Sequence, residues 1–91
     1  MLKITAHVDP SSAVFELEGK LAGPWVAELE ECWRKAAVSD RPVRVMLCRV
    51  TFVDQHGRHL LAEMYREGVE LIAEGCMNQA IVEKIARGEQ A

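Results

Sequence analysis

The stretch V-R-V-M-L-C-R-V-T-F-V-D-Q-H-G, Val43 to Gly57, decides how the chain folds. From Val43 to Val53 apolar residues dominate, and Val45-Met46-Leu47-Cys48 is unbroken. A run that is apolar on both faces predicts a central strand flanked by other strands. Asp54 ends it, and the period then changes. Gly57 to Glu67 reads as a helix, with Leu60, Leu61 and Met64 inward and Arg58, Glu63 and Arg66 outward. Gly68 is placed as the C′ residue that closes it. An acid between strand and helix can cap the helix by accepting from its free N–H groups, which is the role expected of Asp54. Gly57 has no Cβ, so it allows either close packing of the helix start or close approach of a partner.

Outward from that stretch, the same two periods recur. Leu2, Ile4, Ala6 and Val8 alternate with Lys3, Thr5 and His7, which predicts a half-buried strand. Asp9-Pro10-Ser11-Ser12 is a turn cluster. Ala13, Phe15 and Leu17 then alternate with Val14, Glu16 and Glu18, and the short gap makes the first two strands an antiparallel hairpin. Gly19 and Gly23 punctuate the residues after this hairpin, and Pro24 stands where a first helical residue belongs. Trp25 to about Val38 is a helix on Val26, Leu29, Trp33 and Ala36 or Ala37, with Glu28, Glu30 and Glu31 early and Arg34 and Lys35 late. Glu30–Arg34 and Glu31–Lys35 are i,i+4 pairs. Trp33 reads as a packing residue, and Trp25, near the helix start, as partly exposed. Ser39 to Pro42 is a loop, Val69 to Glu74 a fourth strand, and about Met77 to Arg87 a third helix on Met77, Ile81 and Ile85.

The order β-β-α-β-α-β-α predicts an α/β fold with a small mixed four-stranded sheet. Strands 2, 3 and 4 are parallel, and right-handed crossovers put the helices mainly on one face. The other face is then open. It carries Lys3, Thr5, His7, Val14, Glu16, Glu18, Arg44, Met46, Cys48, Glu70, Ile72 and Glu74, with Met46, Cys48 and Ile72 as an apolar centre. A second copy or a partner covering that patch is one expectation.

Composition narrows the function. Ninety-one residues make one domain, 1–91, with 27% charged residues and a net charge of −3. No basic cluster exists to neutralise phosphates, so nucleic acid is not expected. No apolar run approaches the roughly 20 residues of a membrane span. The first residues alternate and lack a signal-peptide core. Cys32, Cys48 and Cys76 are odd in number and far apart, which suits free thiols in a reducing, cytoplasmic setting.

Two segments carry a family resemblance. Phe15-Glu16-Leu17-Glu18-Gly19-Lys20-Leu21, followed at the right separation by Val50-Thr51-Phe52-Val53-Asp54, then Gly57 and a Leu-rich helix, resembles the STAS domain. That is the fold of bacterial anti-sigma-factor antagonists and of sulfate-transporter cytoplasmic tails. The resemblance runs from about residue 2 to residue 87. It implies a non-catalytic binding switch whose partner is an anti-sigma factor or a kinase-like regulator, in bacterial signalling and transcription regulation. In the antagonists this turn reads Asp-Ser-Ser-Gly, and a kinase phosphorylates the serine before the glycine. The added charge of roughly −1.5 to −2 at a helix N-terminus then breaks the complex.

This chain departs from the pattern there. Gln55 and His56 replace both serines, so neither offers a hydroxyl to a kinase. The family's acid early in the preceding strand falls on Met46. The chain ends after the third helical pattern, where many relatives add another strand and helix. The resemblance therefore implies the fold and a partner surface on Asp54, Gln55, His56, Gly57, Arg58 and His59, without the usual serine switch.

Other chemistries compete for the same turn. Asp54, His56 and His59 are ligand types suited to zinc or nickel, but their spacing matches no strong motif, and no metal or other cofactor is expected. An acid and a histidine can do acid–base work, yet there is no nucleophile elbow or phosphate-cradling loop, so no catalytic residue is assigned. His56 stands at the acceptor position, and an imidazole nitrogen is a nucleophile, which makes it a candidate modification site. The alternative to a docking module is a structural, scaffold or homodimerising subunit that uses the open sheet face.

Overall fold

The structure, a computed structural model, describes residues 2–37, 41–73 and 78–88. The elements run β1 (Leu2–Val8), β2 (Ala13–Leu21), α1 (Pro24–Ala37), β3 (Val43–Val53), α2 (Gln55–Arg66), β4 (Glu70–Ile72) and α3 (Gln79–Ala86). The sheet order is β1-β2-β3-β4. β1 and β2 are antiparallel, and β2–β3 and β3–β4 are parallel. Crossovers that advance in one direction put their helices on one face. The burial pattern agrees: Phe15, Leu17, Val45 and Leu47 are buried, while Glu16, Glu18, Arg44 and Cys48 on the opposite face are exposed.

The core is the seam between that sheet face and the helices. Leu29, Trp33 and Ala36 of α1 and Leu60, Leu61 and Met64 of α2 are buried in it. Each large side chain so buried contributes roughly 1.5–3 kcal/mol. Trp25 is half-buried against the same core, as its place at a helix start suggests. Arg34 ties the helices together from outside, 2.9 Å from Glu30 and 3.3 Å from Glu63. α2 ends as expected: Gly68 has φ 98°, and the N–H of Val69 donates to the Met64 carbonyl.

Three boundaries differ from the sequence reading. β2 does not stop at Gly19 but runs to Leu21, because Gly19, at φ 106°, lets the strand shift register and continue beside β3. The α1 start, Pro24, is the expected one, and the first turn that it opens holds no acid. α2 starts at Gln55, two residues early, because the capping bond from Asp54 fixes the first turn there. β4 is three residues long. Alternation in β1 also overstates its burial. The helical layer reaches Leu2 and Ile4, but Ala6 and Val8 lie at the uncovered end of an edge strand and are exposed. The expectations placed on Val38, Ser39, Asp40, Glu74, Gly75, Cys76 and Met77 lie outside the described residues.

Among the described residues, Asn78 is the buried polar one, 6% exposed. The ladder to β4 spans Arg44 to Met46 of β3. Just beyond it, the Asn78 amide donates 2.7 Å bonds to the carbonyls of both Leu47 and Val50. It stands immediately before α3 yet makes no side-chain bond to that helix. Its amide serves the sheet instead, donating to two backbone acceptors of β3.

Candidate functional site

β3 delivers Asp54 to the mouth of α2. The residue is extended, at φ −83° and ψ −178°, so its side chain folds back over the helix start. One carboxylate oxygen accepts from the Gly57 N–H at 2.7 Å. The other accepts from the Gly23 N–H at 3.0 Å, across 31 residues of sequence. The Asp54 N–H donates to the Leu21 carbonyl at 3.1 Å, and its carbonyl accepts from the Arg58 N–H at 3.0 Å. One residue thus joins the end of β2, the loop into α1 and the first turn of α2. The Gly23 and Gly57 N–H groups, in that order, hold the Asp54 carboxyl below its ordinary 3.8, and the neighbouring His56 adds to this.

Two glycines frame the acid for different reasons. Gly23 has φ +59° and open space where a Cβ would stand, so its requirement is conformational. Gly57 is buried, and a Cβ there would lie 2.7 Å from the Leu21 carbonyl oxygen and 2.9 Å from Val53 Cγ1. Its requirement is room. Of the two reasons for a glycine at this position, close packing of the helix start is the one this geometry supports.

The six residues of the turn therefore divide. Gln55, His56 and His59 are exposed, Asp54 and Arg58 are half-buried, and Gly57 is buried. Arg58, placed outward by helical periodicity, instead lies partly against the molecule, its Nε buried and without a hydrogen-bond partner among the described residues. The first turn of α2 contains no acid. The outward chemistry of the corner is thus an amide and two imidazoles, with the half-buried Arg58 guanidinium beside them. Asp54 faces inward with both oxygens bonded, and its lowered pKa makes it a weak general base. Among the described residues no three His, Cys, Asp or Glu side chains gather in a way that holds a metal ion.

The second candidate surface is the open face of the sheet. Its neighbours in register are Glu16 beside Met46 and Met46 beside Ile72, with Arg44 beside Glu70. Met46 and Ile72 are half-buried, and Cys48 is exposed. The Arg44–Glu70 pair, 2.9 Å apart, and the His7–Glu16 pair, 2.6 Å apart, form its polar margin. Sequence patterns mark neither Gly23 nor Asn78 as a residue of this architecture. Gly23 is signalled only by a glycine before a helix-starting proline, and Asn78 by nothing local.

No protein-family model matches this sequence, and no curated protein matches it. Similarity appears among solved structures. One is the anti-sigma factor antagonist SpoIIAA in its unphosphorylated form: TM-score 0.63, 17% identity, covering 94% of this chain and 99% of that one. Another is the crystal structure of Mglu: TM-score 0.63, 21% identity, covering 80% of this chain but 19% of that one. This chain thus spans the length of the first and a small part of the second. No helix among the described residues is long and apolar enough to cross a membrane. The mixed four-stranded sheet with three helices is the STAS-like fold of SpoIIAA.

Proposed function

We propose that residues 1–91 form a single domain that acts as a non-catalytic protein-binding module of the anti-sigma-factor-antagonist kind. Its setting is the bacterial cytoplasm, in signalling that regulates transcription, and its partner is an anti-sigma factor or a related kinase-like regulator. One observation carries the reading. The Asp54 carboxylate fixes the turn from two sides while Gln55, His56 and His59 remain exposed on it. A rigid corner that offers exposed polar side chains suits docking. Neither Gln55 nor His56 can accept phosphate as a serine does, so docking here proceeds without that switch.

The test is capture from the native cell on immobilised protein, with mass spectrometry of bait and prey. His56→Glu and Arg58→Glu should abolish capture of the partner, with thermal unfolding showing that both variants remain folded. The same spectra report any phosphoryl group on His56. Capture that survives both substitutions refutes this reading.

The open sheet face supports a second reading, a homodimerising or scaffold subunit. Met46 and Ile72 lie side by side at its centre with the exposed Cys48 near them. Under that reading both turn variants leave assembly intact, and sedimentation gives a dimer mass. A monomer with readily alkylated Cys48 counts against it.

A further inference from the structure

Phe52 is an exposed aromatic side chain, 52% accessible, two residues before Asp54. It stands beside Lys20 in register, and the next pair along the same two strands is Leu21 and Val53. Leu21 and Val53 are buried and form the wall against which Gly57 packs. Strand pleating turns Phe52 and Lys20 to the other face. They therefore sit on the open sheet at its rim, one residue from the seam that holds the Asp54 turn.

The charge at this rim has a sign. Lys20 lies beside Phe52 in register, Arg58 stands in the first turn of α2, which has no acid, and the acid nearest Lys20 along its strand face is the exposed Glu18. The Asp54 carboxylate is turned inward onto two N–H groups. The chain as a whole carries −3, so this is a locally cationic corner on an acidic molecule. An exposed aromatic ring with an ammonium group beside it in register is suited to act as an interface hot spot.

We infer that Phe52 is the apolar anchor of the docking surface, and that its occupant is an acidic protein surface with a pocket for an aromatic ring. The inference rests on the reading that the Asp54 turn binds a protein. The partner's contact then wraps from the turn onto the upper part of the open sheet. Carboxylates around its pocket meet Lys20 and Arg58 and steer the encounter.

The experiment uses the full chain and the protein that it captures, identified by mass spectrometry and then purified. Phe52→Ala should weaken binding by about tenfold or more, the range expected of an aromatic hot spot. Phe52→Glu should weaken it further, and Phe52→Trp should retain it. Tyr65→Ala, at an exposed aromatic toward the far end of α2, should leave it within about twofold of wild type. Added salt should slow association. Phe52→Gln serves as the polar variant if Phe52→Ala fails to fold. If the Phe52 variants bind like wild type while Arg58→Glu abolishes binding, the anchor is refuted and the docking turn stands. A partner whose contact surface is basic refutes the anchor as well. If neither set of variants matters, or nothing is captured, both fall.

Discussion

Two aspartates mark two turns of this molecule, and they use the same chemistry at different range. Asp9, in the hairpin between β1 and β2, accepts from the Ser11 N–H, the Ser11 hydroxyl and the Ser12 N–H, each at 2.8 Å. Its partners lie two and three residues away. Asp54 accepts from Gly57, three residues on, and from Gly23, 31 residues back. A local turn of the Asp9 kind can form in part in the unfolded chain, so its contribution to stability is diluted. The Gly23 bond closes a long loop and belongs to the folded state alone. The Asp9 turn shapes a connection; the Asp54 turn joins three elements.

The sharpest way to break this contrast is Gly57→Val. The first added carbon meets a backbone carbonyl at 2.7 Å, which cannot move aside as a flexible side chain can. Overpacking of this kind costs about 1–3 kcal/mol, so the urea midpoint should fall clearly, whereas Ser11→Ala in the exposed hairpin should change it little. Next in size is Asp54→Ala against Asp9→Ala. Both lose bonds, but the first should lower the midpoint more and also speed hydrogen exchange at the Gly23 and Gly57 amides. Equal effects would erase the distinction.

Acid tests the same pair. Gly23 and Gly57 lower the Asp54 pKa, and Ser11, through its hydroxyl and its N–H, lowers that of Asp9. A group lowered on folding contributes stability that is fully present above its unfolded value and is lost as pH falls through its folded one. The loss should therefore occur below about pH 3.8, the ordinary carboxyl value. Asp54→Asn should flatten that acid limb in an unfolding series, and an unchanged limb would contradict the lowered pKa. Smallest of all should be Arg41→Ala. The Arg41 guanidinium donates to the Asp9 carbonyl at 3.0 Å, a tether from the hairpin turn to the start of β3. One such bond is worth about 0.5–1.5 kcal/mol, which thermal unfolding can resolve.

Much of the fold is legible wherever one period governs a whole segment. The alternation in β2 and the Leu60, Leu61 and Met64 stripe each state which face is buried, the apolar run in β3 states that it lies between other strands, and the structure agrees. The capping role of Asp54 is legible too, because its first partner is three residues away. What periodicity does not show is anything set by a distant element. Alternation places Ala6 and Val8 inward, but whether a helix covers them depends on where α1 crosses the sheet. Helical spacing places Arg58 outward, but its Nε is buried by neighbours that no local pattern names. The Gly23–Asp54 bond is invisible for the same reason: neither residue's neighbourhood mentions the other.

Asn78 adds a consequence for how this sheet meets other chains. A β-strand flank with unsatisfied carbonyls is a template onto which a stray extended segment can zip. The last β-strand is short, which leaves the central one at risk of such adhesion. By occupying the acceptors of Leu47 and Val50, a single carboxamide takes up two bonds on that flank for which a stray strand would otherwise compete. One side chain thereby disfavours unwanted strand addition along the part of the margin that it covers.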